Sequence, residues 1–190
     1  MKAIPRDFYQ KDTLVVAKKL LGKRIVRKIG DKEMSAIITE TEAYKHKSDP
    51  ASHAFRRVTE RNKVMFGDVG ISYVYFTYGM HYCFNVVAKN PKTEAGAVLI
   101  RAAKPEKGIE EMMRNRNIKN FRNISDGPAK LAQALNITKK DYGIDLTKQT
   151  NLFIAEGIKN IGKISSSPRI GIKQATEKLW NFKITIQDEI

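Results

Sequence analysis

The stretch from Ser72 to Ala88, SYVYFTYGMHYCFNVVA, restricts the fold more than any other part of the chain. Ser72–Thr77 and His81–Ala88 are aromatic and β-branched runs of the kind that suit a pleated, half-buried surface. They are separated by Tyr78-Gly79-Met80, where the glycine allows a tight reversal, so the segment is expected to be an antiparallel hairpin with Tyr78 at its exposed tip. Positions 73 to 85 hold four of the seven tyrosines and two of the eight phenylalanines. Tyr73 and Tyr82 are expected to pack as aromatics on strands ordinarily do. Tyr78 has little core to join, and a large ring at a turn is suited to enter a base stack.

Strands are also expected on either side of Gly30-Asp31, at Lys23–Ile29 and Met34–Tyr44, because that dipeptide has the composition of a tight turn. On the second of them, strict alternation places Ala36, Ile38, Glu40, Glu42 and Tyr44 on one face. Further strands are expected at Ala97–Ala103, Leu152–Ala155, Ile170–Ile172 and Phe182–Ile186. Asp12 is positioned to cap a short helix through Lys19, and helices are expected at Gly108–Arg116 and Pro128–Asn136. The 190 residues carry no repeat and no low-complexity linker, which points to one mixed domain.

Thirty-five Lys and Arg against twenty Asp and Glu leave a formal net charge of +15, which favours a polyanionic partner through counterion release. The N-terminal MKAIPRDFYQ has no apolar run suited to a signal peptide, and no segment approaches the roughly 18 apolar residues of a membrane span. A cytoplasmic, nucleoid-associated protein is expected. A single cysteine, Cys83, and three histidines, His46, His53 and His81, argue against an internal disulfide and a structural zinc centre.

Glu42 and Tyr44, two residues apart on one strand, should project a carboxylate and an aromatic ring into the same space, a combination that suits a cationic substrate. The bland alternative is a solvated carboxylate paired with one of many lysines. Glu40 is expected on the same face about 7 Å away, and the sequence does not separate the two carboxylates' roles. His53 is open to several readings: base, ligand, stacking ring or surface residue. Ser125-Asp126-Gly127-Pro128 is a good helix start that is either a plain cap or, with Gly127 and Lys130, a contact for a DNA phosphate. Walker, G-x-G-x-x-G and G-x-S-x-G motifs are absent, as is the zinc-deaminase pattern.

Thr41-Glu42-Ala43-Tyr44, His53, Tyr73 through Met80, Asn85 and Val98-Leu99-Ile100-Arg101-Ala102 occur in an order that resembles the alkyladenine (3-methyladenine) DNA glycosylase family, bacterial type. Gly127-Pro128-Ala129-Lys130-Leu131 with Gln133-Ala134-Leu135 resembles that family's helix after the central sheet. The similarity runs from Phe8 to Ile184, although Ser72 stands where a more apolar residue is usual. The resemblance implies an α+β fold: a single mixed domain with a central curved, mainly antiparallel β-sheet, flanking helices and a protruding β-hairpin. It implies a monofunctional enzyme, working as a monomer without metal or organic cofactor. Its partner would be duplex DNA containing damaged purines, which it would flip out and cleave at the N-glycosidic bond. In that scheme Glu42 activates water and Arg101 supports it. Tyr44, His53 and Tyr75 sandwich the extruded base, Asn85 lies at the purine edge, and Tyr78 fills the gap in the duplex. Outside this class, a non-catalytic basic nucleic-acid-binding domain would also account for the charge and the exposed tyrosines.

Overall fold

The computed structural model describes residues 1–186; the last four residues of the expected single unit lie outside that range. After a 3-10 turn at Arg6–Tyr9, helix α1 spans Thr13–Leu20. Asp12 caps it, its side chain accepting from Leu14 N at 2.9 Å. Strands β1 (Arg24–Ile29) and β2 (Lys32–Lys45) meet at Gly30-Asp31, where Gly30 takes φ 55°. Strands β3 (Ser72–Thr77) and β4 (His81–Val87) form the hairpin, and β5 (Gly96–Lys107) follows. Helices α2 (Ile109–Arg116) and α3 (Pro128–Ala134) come next, then the short strands β6 (Leu152–Ala155), β7 (Ser165–Ser167) and β8 (Asn181–Lys183).

Every strand pairing is antiparallel, in the order β3-β4-β5-β2-β1-β6, and the sheet is curled, giving the expected α+β fold. β2 is long enough to pair with β1 through its first half and with β8 at Glu40–Glu42. The helices cover one face. Val16, Ala17 and Leu20 of α1, Met112 of α2 and Leu131 and Ala134 of α3 share a core with Val74, Phe84, Val86, Val98 and Ile100. Alternation then turns Tyr73, Tyr75, Cys83, Asn85, Leu99 and Arg101 toward the other face, where the candidate site lies.

Two expectations need correction. Ala36, Ile38, Glu40, Glu42 and Tyr44 do not share a face. The β2–β5 register shifts at Ile38/Glu40 and again at Glu40/Thr41, so the alternation changes phase there. Ala36 and Ile38 join the helix-covered core, as does Ala43, whereas Glu40 and Glu42 point away from it. Ile170–Ile172 is not a strand. Gly171 takes φ 77°, and the Ile170 amide is bonded to Glu42 Oε1, so it has no place in a ladder. The closing strand β8 is also shorter than expected and begins one residue earlier, at Asn181.

Ser72, anomalous as the first residue of a buried strand, is explained by its hydroxyl, which donates to Asp141 O and accepts from Ile144 N. It ties the start of the hairpin to the segment after α3.

Candidate active site

A transverse row crosses the sheet on the face away from the helices: Asn181 of β8, Glu42 of β2, Leu99 of β5, Asn85 of β4 and Tyr73 of β3, each paired with the next. Above it opens a cavity of about 530 Å³. Tyr44, His53, Tyr75, Tyr78, Asn85 and Arg101 all line it, so residues up to 57 positions apart in sequence converge on one space. Glu42 is fully buried beneath that surface.

The Glu42 carboxylate is held from four directions. Oε1 accepts from Ile170 N at 2.7 Å and from Asn181 Nδ2 at 3.1 Å, and Arg101 Nη1 lies 3.4 Å away. Oε2 accepts from the Tyr44 hydroxyl at 2.8 Å. A buried carboxylate survives only when such donors replace water. Arg101 thus lies beside Glu42, although its shorter contact is to Glu40, whose Oε1 accepts from Arg101 Nε at 2.9 Å.

Tyr44 is fixed at both ends. Its hydroxyl is bonded to Glu42, and the Arg169 guanidinium lies 4.6 Å from its ring centroid and 5.1 Å from that of Trp180. Burial and the adjacent Glu42 charge push the Tyr44 phenol far above its usual range, so it stays a hydrogen-bond donor. Arg169 itself is enclosed. It makes two 2.6 Å hydrogen bonds to Asp49, with both side chains fully buried, and donates to Ala43 O at 2.9 Å. This ion pair anchors the loop carrying Ile170 to the end of β2.

Across the cavity, His53 meets the Tyr75 ring edge-on at a centroid distance of 4.7 Å, and its Nδ1 lies 2.8 Å from the hydroxyl of buried Tyr73. The loop that carries His53 is organised by Asn62, whose amide donates to His53 O and Arg57 O. Arg61 from that loop stacks over Tyr75 at 4.8 Å. Desolvation, then Arg61, lower the His53 pKa to about 4, so the ring facing the cavity is a neutral imidazole at physiological pH. Because the unfolded chain protonates its histidine at about 6.5, it binds the extra proton between roughly pH 4 and 6.5. His53 thus contributes stability that is complete above that window and lost as pH falls through it. His53→Gln is expected to flatten this part of the stability profile, measured by urea unfolding at successive pH values; an unchanged slope would contradict the assignment.

Asn85 is buried on the cavity wall, and its amide nitrogen donates to Tyr73 O at 3.0 Å. Tyr78 is 82% exposed at the hairpin tip, with φ 52° beside Gly79 at φ 67°. A tyrosine in left-handed backbone is uncommon and costs about 1 kcal/mol or more. Gly127 and Lys130 are not brought into this arrangement. Gly127 is the N-cap of α3 with no side-chain cap bond, and Lys130 Nζ pairs with Asp126 at 2.9 Å, although neighbouring Pro128 does reach the cavity wall.

Asn181, Arg169, Asp49, Arg61 and the Ile170 amide escaped sequence reasoning. Arg169 and Arg61 are lost among thirty-five basic residues, and an asparagine in a short apolar run carries no periodic signal. The 120-residue separation of Asp49 and Arg169 is visible only in the fold. Among the described residues, no three His, Cys, Asp or Glu side chains cluster to hold a metal ion, and no helix is long and apolar enough to cross a membrane.

Fold and site define an α+β protein with an aromatic-lined cavity set against a buried carboxylate on a strongly basic chain. Residues 7–188 match the methylpurine-DNA glycosylase family, and the chain belongs to that family. It is 45% identical over 187 residues to a protein of Prosthecochloris aestuarii, covering 97% of this chain and 89% of that one. It is 47% identical over 180 residues to one of Carboxydothermus hydrogenoformans, covering 94% and 93%. Both relatives bear the name "Putative 3-methyladenine DNA glycosylase". The protein is thus a DNA glycosylase, a hydrolase of N-glycosyl bonds, and the expectation of a non-catalytic nucleic-acid-binding domain is set aside.

Proposed function

We propose that the protein removes alkylated or deaminated purines from duplex DNA, 3-methyladenine among them, by flipping the damaged nucleotide into the cavity and hydrolysing its N-glycosidic bond. The observation that carries this reading is the state of Glu42. Three donors surround its Oε1, whereas among the described residues Oε2 has the Tyr44 hydroxyl as its hydrogen-bond donor. An ionised carboxylate oxygen accepts in two lone-pair directions, so Oε2 retains capacity for a water at the cavity floor.

In the proposed step, that water attacks the sugar C1′ and passes a proton to Glu42, while the C1′–N bond breaks with its electron pair leaving on the base. Alkylation at N3 or N7 makes the purine cationic, so it departs neutral and needs no acid. A neutral lesion such as hypoxanthine or ethenoadenine must instead take up a proton from a general acid or solvent as it leaves. The negative charge of Glu42 also stabilises an oxocarbenium-like sugar, as carboxylates do in glycoside hydrolysis. Tyr44 and Tyr75 would bind a cationic ring by about 0.5 to 2 kcal/mol of cation–π attraction. Asn85, held by Tyr73 O, would obstruct the exocyclic amino group of unmodified guanine, and exposed Tyr78 would occupy the space left in the duplex.

Duplexes carrying hypoxanthine, 7-methylguanine or ethenoadenine, and methylated DNA containing 3-methyladenine, are expected to release free base and become alkali-labile. Undamaged duplex should not. Because the nucleophile is water, borohydride should trap no covalent protein–DNA adduct. A trapped adduct would replace the hydrolytic route with an amine nucleophile, and lack of free base from all four lesions would remove the proposed activity.

A further inference from the structure

Glu40 is a buried carboxylate beside Glu42 to which the hydrolytic scheme gives no task. The register shift between Ile38 and Glu40 turns it onto the same side as Glu42, where its Oε1 accepts from Arg101 Nε at 2.9 Å and from Asn181 Nδ2 at 2.7 Å. The same Asn181 nitrogen reaches Glu42 Oε1 at 3.1 Å, and Arg101 Nη1 reaches it at 3.4 Å. One guanidinium and one neutral amide therefore serve two carboxylates. Two carboxyl groups thus share one guanidinium in surroundings where Glu40 is 8% and Glu42 0% exposed. Holding an uncompensated charge there is costly, and glutamine at position 40 would remove it without loss of volume.

We propose that Glu40 and Asn181 are positioning residues that set the charge of the site. Glu40 takes the closer share of Arg101 and so leaves Glu42 incompletely neutralised. Asn181 holds the two carboxylates in register without adding charge. Glu42 is thereby kept a proton acceptor with a negative field toward the sugar, a role that rests on the hydrolytic reading above. Among the described residues, the groups facing Glu42 are few. They are Glu40 and the Tyr44 hydroxyl from β2, Arg101 from β5, Asn181 from β8, and the Ile170 amide with Arg169 and its partner Asp49 from the loop and the end of β2. Cys83 of β4 and Tyr75 of β3 lie nearby, and burial raises both of their pKa values, so they remain uncharged.

The test has two readouts. In protein labelled with ¹³C at glutamate carboxyls, Glu42→Gln identifies the Glu42 resonance. Glu40→Gln is then expected to lower the Glu42 titration midpoint by about one unit, because Arg101 transfers to it, and Asn181→Asp to raise it by about one unit. The acid limb of kcat/KM on methylated duplex should move in the same opposite directions, with kcat of Glu40→Gln reduced about tenfold and lesion affinity unchanged. A midpoint that stays fixed or moves upward in Glu40→Gln overturns the proposal, as does a loss of activity explained entirely by a lower Tm. Glu40→Gln is isosteric, so the result does not depend on Asn181→Asp folding. If the wild-type protein releases no methylpurine, the hydrolytic reading fails, while the carboxyl titration still decides how the charge is set.

Discussion

Replacing Glu42 with glutamine is expected to lower excision of methylated purines by roughly 10³-fold, while affinity for a lesion duplex stays within a few-fold of wild type. The substitution removes the proton acceptor and the negative charge together. The packing should survive, because the amide oxygen can accept from Ile170 N and Asn181 while the amide nitrogen faces Tyr44, whose hydroxyl can turn to accept. The reverse amide orientation would set donor against donor at Ile170, so one rotamer is selected. Single-turnover base release and equilibrium binding to the same duplex separate the two effects. Turnover equal to wild type would reject Glu42 as the base, and parallel loss of binding and turnover would make its role structural.

The second large effect is expected at a residue outside the cavity wall. Arg169→Met strands Asp49 as an unpaired buried carboxylate, which costs about 3 to 5 kcal/mol, or roughly 10 °C in Tm for a chain of this size. Activity should fall with it, since the Arg169 loop delivers the Ile170 amide to Glu42 and the guanidinium backs the Tyr44 ring. Asp49→Leu combined with Arg169→Met leaves no charge unpaired and should recover part of the lost stability without recovering activity. Thermal unfolding of both single variants and the double variant checks this. If Arg169→Met shifts Tm by no more than a surface substitution would, the pair does not anchor the loop.

Much of the fold is legible in residue order because its determinants act over a few positions. Asp12 caps α1 within two residues, Gly30 and Gly79 allow the tight reversals, and the apolar runs of β3, β4 and β6 fall close to their expected bounds. The same locality explains the errors. Period-two counting along β2 cannot register a shift that depends on its pairing with β5, so it carried Ala36 and Ile38 onto the face of Glu42. Ile170–Ile172 has a strand's composition, yet its first amide is captured by a carboxylate 128 residues away.

Residue types and their order sufficed to indicate an antiparallel hairpin with an exposed tyrosine and a basic chain suited to a polyanion, and the family resemblance added the motif residues Glu42, Tyr44, His53, Tyr75, Asn85 and Arg101. Only the tertiary structure decided that these line or underlie one cavity, that Glu40 shares Arg101 with Glu42, and that Asn181, Ile170 and the Asp49–Arg169 pair hold the carboxylate and its tyrosine in place. The division has a physical cause. Strand propensity, turns and caps arise from forces between near neighbours. The environment of a buried charge is assembled from donors on three strands and a distant loop, and their approach depends on the curl and register of the whole sheet.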